Sequence, residues 1–438
     1  MRVAIFEDHC APDFAPIALL RPVFELLCGQ FSARERAVRF LPVDDWAVFV
    51  RDELAAVYRE EHPEARVNDL DWLRGGPTLL LNGRWLADPK TLPLCDPDAA
   101  GLIDGSVVFL TLDPLELPLL TGDNWDEALS HIARTRRRVT APGGLARYPW
   151  DLIHHNAEQL RLDFAARKFG PSQAADLGPQ VAVLGDLGNV FVDPTASIDP
   201  FVVIDARKGP VSIDAGAMIQ AFTRLEGPCH IGRKSQLFRA NVREGTTIGP
   251  VCRVGGEIEE SILHGYVNKY HDGFLGHSYV CPWVNLGALT TNSDLKNDYS
   301  AVKVPLSGET IDSGEMKVGC FIGDHTKTAI GSLFNTGTSV GVMCLILPDG
   351  ELLPKHIPSF SRIWHGELIE GLPLERGLAT ARAALERRNV ELTDALEQLL
   401  RRIHFQTLTE RTRAINRLAE KAAAETVPAN EQQTRFIK

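Results

Sequence analysis

Residues 268–277 read NKYHDGFLGH, with two histidines, a lysine, two aromatic residues and two glycines between segments that look like short strands. A histidine such as His271 can take a proton near neutral pH, because its unperturbed pKa lies near 6.5. Glu257 stands fourteen residues before it, a carboxylate suited to fix the ring's tautomer and support an imidazolium. Asn285 stands fourteen residues after it, followed by Gly287 and Ala288, whose backbone N–H groups could orient a bound molecule. Arg243, Lys269, Lys296 and Lys303 supply cations of the kind that bind phosphates. This set suits acyl transfer from a thioester to an amine, since the ammonium must lose a proton before or during attack. The same residues also have plain structural uses. His271 can be a corner residue, Glu257 and the cations can lie on a solvated face, and Asn285 can be an asparagine stacked inside a coil.

Whether these side chains meet depends on the backbone that carries them. Aliphatic residues recur every six positions: Val192, Ile198 and Ile204, then Ile213, Ile219, Leu225, Ile231 and Leu237, with Ile248 and Val254 continuing the beat. A period of six fits neither an amphipathic helix nor a hairpin meander. It predicts a parallel β-solenoid in which each short strand turns one aliphatic residue inward and a tight corner follows.

Residues 254–304 closely resemble the acetyltransferase half of the GlmU-type enzymes, bifunctional N-acetylglucosamine-1-phosphate uridylyltransferase/glucosamine-1-phosphate acetyltransferases. The resemblance rests on four matched spacings: Glu257, His271, Phe274 three residues later, and NLGA from Asn285. It implies a left-handed β-helix that trimerises, with active sites in clefts between neighbouring prisms and acetyl-CoA as acyl donor. Carried over residue by residue, it implies His271 as base with Glu257. Arg243, Lys269, Phe274, Asn285, Asp294 and Lys296 would stand toward the sugar phosphate, and Ala288 and Lys303 toward the acyl donor. Several positions depart from the family pattern. Phe274 replaces a tyrosine, Glu259 a sugar-contacting lysine, and Asp294 an asparagine, while the Arg243–Glu257 interval is two residues shorter. These departures imply a sugar other than glucosamine-1-phosphate. The alternative of a zinc site built from His264, His271 and His277 is disfavoured. Intervals of seven and six put them on successive corners, whereas zinc needs ligands converging at about 2.1 Å.

Residues 1–169 alternate strand-like runs (RVAIF, TLLLNG, SVVFLTL) with helical patterns (DWAVFVRDELAAVYREE, WDLIHHNAEQLRLDFAARKF), which predicts an α/β domain with a mostly parallel sheet. The stretch APIALLRPVFELLCG, with LNGR from Leu81, resembles the sugar nucleotidyltransferases in a divergent, shortened form. Asp8, Arg21 and Arg34 would line a nucleotide site there, with Mg2+ as its metal, although Arg21 serves equally as a structural ion pair. EDHCAPDFAP replaces the glycine-rich phosphate loop, and Val23 stands where a lysine is expected.

A linker is expected from Gly170 and the solenoid over 170–367, and a segment starting near Gly170 is expected to fold and trimerise alone. The region 368–438 reads as a helical tail. There Leu378, Leu385, Leu392 and Leu399 repeat every seven residues, either as a coiled-coil seam or as an amphipathic helix packed on its own solenoid, and the last dozen residues read as frayed.

A net charge of −11 argues against a general nucleic-acid binder. No apolar run reaches the roughly 18 residues that cross a bilayer, and the start lacks a signal-peptide pattern. Eight cysteines without CxxC pairs read as reduced thiols of a cytoplasmic protein. The leading expectation is a trimeric sugar-phosphate transferase that moves an acyl group from acyl-CoA to a sugar. The alternatives are a sugar-1-phosphate nucleotidyltransferase whose solenoid only oligomerises, and a non-catalytic trimeric scaffold that binds a sugar nucleotide.

Overall fold

The structure is a computed structural model that describes residues 1–120, 125–306 and 308–425. The residues read as frayed at the end lie outside the described ones.

The first region folds around a seven-stranded sheet. In spatial order its strands are Arg137–Thr140, Ala99–Ile103, Ser106–Leu112, Thr78–Asn82, Arg2–Phe6, Asp45–Phe49 and Arg66–Val67. All neighbours pair parallel except Ser106–Leu112, which runs antiparallel to the strands on both sides. The segment DWAVFVRDELAAVYREE, read as one helix, is instead a strand at Asp45–Phe49 followed by a helix at Ala55–Glu61. Its front half is a nearly unbroken apolar run buried from Trp46 to Val50, as suits a strand covered on both faces. The helix Pro149–Ala166 forms as expected, with proline at its first turn.

The middle region is a parallel β-helix. One of its sheets stacks nine short strands from Val190–Val192 to His356–Ile357, all in parallel register. The six-residue beat marks its interior. Val192, Ile204, Ile213, Leu225, Ile231, Leu237, Ile248 and Val254 are all 0% exposed. Corners between strands hold residues in the left-handed backbone region, among them Phe201, Phe222 and Leu289. One excursion interrupts the coils. The hairpin Lys303–Leu306/Glu309–Asp312 leaves the solenoid and packs its apolar side against the first region.

The tail forms helices Leu374–Glu386, Asp394–Gln406 and Leu408–Glu425. The four heptad leucines are buried, but on two helices and the link between them, so no continuous coiled-coil seam exists. They share a core with Leu54 and Val57 of the first region and with Val342 and Phe360 of the solenoid. The amphipathic reading holds, and the tail packs on the first region as well as on the solenoid.

The expectation of an independent solenoid meets a contrary finding. Ala11, Phe14, Ile17, Trp150 and Ile153 of the first region form one core with Ile262, Tyr279, Cys281 and Phe321 of the solenoid. The Tyr279 hydroxyl accepts a hydrogen bond from the Leu27 amide, and Thr247 Oγ1 donates to the Gly29 carbonyl. Removing the first region would leave this apolar face open to water.

Candidate active site

His271 lies on the corner Tyr270–Gly273, between the short strands Asn268–Lys269 and Phe274–Gly276. Its ring is exposed and stands edge-on to Tyr270, with centroids 4.9 Å apart. Tyr270 in turn leans on Phe238 at 3.9 Å. The corner is braced from below. Lys269 is 2% exposed, and its ammonium donates to the carbonyls of Gly255 at 2.7 Å, His271 at 3.3 Å and Gly273 at 2.7 Å. All three donors are used, and burial draws its pKa down to about 8. Lys269 therefore holds the loop instead of offering a charge to a phosphate, which corrects the expectation.

The coils on either side bring other candidates near. Glu257 pairs in register with Phe274, and the Leu289 amide donates to the Asp272 carbonyl at 2.8 Å, stacking the corner that carries Ala288 on the His271 corner. Among the described residues no hydrogen bond joins Glu257 to His271. Glu257 lies on the strand past the corner and faces Arg243 at 3.6 Å, while Arg243 pairs more closely with Glu259 at 2.7 Å. Asn285 accepts from Asn268 Nδ2 at 2.5 Å in a ladder that continues to Lys327, so its side chain is engaged in stacking coils. Lys296 donates to Ser300 Oγ and the Ala301 carbonyl, tying its own loop. Lys303 is exposed at the start of the excursion hairpin.

Asp294 is not turned toward the His271 corner. Its carboxylate meets His277 Nδ1 at 2.8 Å, and Glu260 meets the other ring nitrogen at 3.2 Å. His277 is 3% exposed; burial opposes its charge, but the two carboxylates outweigh that and raise its pKa to about 9. This bracket ties three coils together. The zinc triad does not assemble. His264 is half-buried against the first region with Nε2 2.9 Å from the Glu25 carbonyl, and no group of three ligating side chains among the described residues is placed to hold a metal.

In the first region the mouth of the sheet, where open α/β folds take their ligands, lies past the ends of Arg2–Phe6 and Thr78–Asn82. Its charges neutralise each other. Asp8 is buried against the Arg84 guanidinium at 2.5 Å and accepts from Asn82 Nδ2 at 2.8 Å, and Glu7 pairs with Arg51 at 3.1 Å. Arg84 closes the LNGR stretch noted in the sequence, where it was given no role of its own. Arg21 is engaged by Asp324 of the solenoid, and Arg34 by Glu25, which also accepts from the Tyr58 hydroxyl. Asp8, Arg21 and Arg34 thus do not converge on one nucleotide pocket. With both strand-end carboxylates committed to arginines, the donor set does not fit Mg2+.

A cleft of about 570 Å³ opens where the three regions meet, lined by Arg34, Glu61, His264, Tyr266, Trp283 and Leu396 among others. Tyr266 and Trp283 stack on successive corners with centroids 4.3 Å apart. Glu61 projects into this cleft, where the surrounding protein raises its pKa by desolvation. Spacing alone could not reveal this cleft, because its walls come from segments more than 200 residues apart.

The chain thus joins an α/β domain to a parallel β-helix, with a helical tail packed on both. Residues 3–170 match the family described as sugar nucleotidyl transferase. The chain is 35% identical over 92 residues to the bifunctional sugar-1-phosphate nucleotidylyltransferase/acetyltransferase of Sulfurisphaera tokodaii, covering 21% of this chain and 23% of that protein. It is 31% identical over 90 residues to the bifunctional protein GlmU of Methanocaldococcus jannaschii, covering 20% and 22%. A solved UDP-N-acetylglucosamine acyltransferase of Arabidopsis aligns over 48% of this chain and 76% of its own at 14% identity, with a TM-score of 0.20. Over these segments the chain is similar to sugar nucleotidyl transferases in its first region and to GlmU-type bifunctional proteins over about a fifth of its length. Its matches span less than a quarter of the length of those two curated relatives.

Proposed function

We propose that this protein is an acyltransferase of sugar metabolism that moves an acyl group from acyl-CoA to an amino sugar or sugar phosphate, with His271 as general base. The observation that carries this reading is the exposed His271 ring, without a hydrogen-bond partner among the described residues, on a braced corner at the position of the GlmU-like motif. In the reaction the amine nitrogen attacks the thioester carbonyl and His271 takes the amine proton. The C–N bond forms as the C–S bond breaks, and the thiolate leaves and is reprotonated. The braced loop supports this role, because a base held by Lys269 at three carbonyls stays in place through the reaction.

The second coil face and its corner ridge stay open, since the first region covers one face of the prism and the tail helices another. Phe222 at 69%, Leu289 at 62% and Ile330 at 72% exposure are exposed apolar residues of the solenoid, and Leu289 stacks on the His271 corner through its amide to the Asp272 carbonyl. We infer a homotrimer in which these residues meet a neighbouring prism and Glu257 or another carboxylate completes the site. Nucleotidyl transfer is the weaker reading, because the strand-end charges pair internally. Purified protein incubated with acetyl-CoA and a panel of amino sugars and sugar phosphates, with free thiol followed, tests the proposal. Thiol release that depends on the sugar supports it. Pyrophosphate release from nucleoside triphosphates with sugar-1-phosphates, and no thiol, would replace it with the nucleotidyltransferase.

A further inference from the structure

The last coil of the solenoid and the tail enclose a second cleft, of about 550 Å³, lined by Arg362, Glu370, His404 and Arg411 with apolar Phe360 and Leu374. Arg411 is 1% exposed. Its guanidinium donates to the Ser359 carbonyl at 3.1 Å, Thr407 Oγ1 at 3.3 Å, His404 Nε2 at 3.3 Å and the His404 carbonyl at 3.4 Å. Every one of these acceptors is neutral. A buried guanidinium ordinarily has a carboxylate partner, because carbonyls satisfy its hydrogen bonds without balancing its charge. Among the described residues no carboxylate lies within ion-pair distance of Arg411 or Arg362. Neighbouring Glu410 pairs with His356 at 3.1 Å, and Glu370 stands exposed on the wall of the cleft.

Arg362 repeats the pattern independently. Its guanidinium lies over the Trp364 ring at 5.0 Å, and its buried Nε has no acceptor. His404 adds a third donor. Because Nε2 accepts from Arg411, the proton of the neutral ring sits on Nδ1. Burial, with Arg411 beside it, lowers the His404 pKa and keeps the ring neutral. Two guanidinium groups with no carboxylate in direct contact among the described residues, Glu370 being the charge across the cleft, and an imidazole N–H around one cleft form the complement of a tetrahedral oxyanion.

We propose that this cleft binds a small phosphate-type oxyanion, either free or as the terminal group of a larger ligand, between Arg362 and Arg411. The site is separate from the His271 corner and does not depend on the acyltransferase reading.

The test uses the full chain with inorganic phosphate, compared with chloride at matched ionic strength, by thermal denaturation and titration calorimetry. Phosphate is expected to raise the melting temperature and bind saturably at one site per chain. Arg362→Gln should weaken it roughly tenfold, the loss expected for one hydrogen bond to a charged group. Glu370→Gln, which removes the opposing charge, should tighten it. Arg411→Gln risks unfolding, because Arg411 anchors the tail to Ser359, so Arg362→Gln carries the test; its melting in chloride should match wild type. Glucose-1-phosphate distinguishes the two sources: tighter binding than phosphate marks a larger ligand, and equal binding marks the free anion. An equal melting shift in phosphate and chloride, or undiminished phosphate binding by Arg362→Gln, would overturn the proposal.

Discussion

Arg21 of the first region and Asp324 of the solenoid, 303 residues apart in sequence, form a bidentate ion pair inside the protein. Asp324 is 1% exposed and the Arg21 side chain 13%, so each charge depends on the other for its place out of water. The pair clamps the loop after the first strand onto the β-helix.

Breaking that clamp on one side is expected to be costly. Arg21→Ala or Asp324→Asn should destabilise the protein by about 3–5 kcal/mol, the usual result of leaving one buried charge alone. Arg21→Met with Asp324→Leu should recover much of that loss, since it removes both charges and keeps volume. Chemical denaturation of the three variants checks this, and a double variant no better than the singles would count against a simple charge pair.

The same junction bears on truncation. A chain starting at Gly170 exposes Ile262, Tyr279, Cys281 and Phe321, all 0% exposed in the intact protein. It is expected to aggregate or to bind a hydrophobic dye, in contrast to what nearest-neighbour coil stacking alone would give. Co-expression of residues 1–169 should rescue its solubility. A soluble, cooperatively melting 170–438 fragment would show that the shared core is dispensable.

Stability should fall on both sides of neutrality, for separate reasons. His325 is buried and His264 half-buried against the first region, and desolvation lowers both pKa values from 6.5 to about 3. Their contribution is present above pH 6.5 and is lost as pH falls below it, because the unfolded chain binds the protons that the folded one refuses. His277 runs the other way. Its pKa is raised from 6.5 to about 9, so its contribution is full below pH 6.5 and disappears as pH rises through 9. Melting temperature measured from pH 4.5 to 9.5 should therefore peak near neutrality. His264→Asn should flatten the acid limb and His277→Gln the alkaline limb; a variant that moves the opposite limb would refute its assignment.

Assembly can be tested on the exposed apolar residues of the solenoid. Light scattering at micromolar concentration is expected to give a trimer, and Ile330→Glu or Phe222→Glu should shift it toward monomer without lowering secondary structure. A monomeric wild type would remove the shared-cleft site.

The β-helix was legible because its interior repeats. Ile213, Leu225 and Ile231 each fill the same inward slot, so the period survives in the sequence even where corners vary. The position of His271 on a corner was legible for the same reason. Charged residues were harder to read, because one sequence position says little about its partner. Lys269 resembled a ligand-binding cation, yet its strand turns it beneath the corner, where three carbonyls take it. Asp8 read as lining a nucleotide site, yet Arg84, 76 residues on, neutralises it. The Asp45–Phe49 strand was missed because the helical pattern after it was extended back over a buried apolar run.

The central test is His271 itself. If the ring is the base, His271→Ala should lower kcat by roughly 10²–10⁴-fold. Melting should stay near wild type, because the exposed ring's contact among the described residues is the edge-on one with Tyr270. Acyl-CoA affinity should also hold, since the base removes a proton from the other substrate. Glu257→Gln is expected to cost less, and its effect should depend on assembly, because within one chain Glu257 faces Arg243 and not His271. Lys269→Met separates positioning from catalysis. Removing the brace should lower both kcat and the melting temperature, whereas His271→Ala lowers kcat alone. Metal analysis of the wild type and of His264→Ala, His271→Ala and His277→Ala closes the remaining route: stoichiometric zinc lost in all three would restore the metal reading. A His271→Ala protein with full turnover would move the chemistry elsewhere, and the cleft beside Glu61 and Trp283 would be the next place to look.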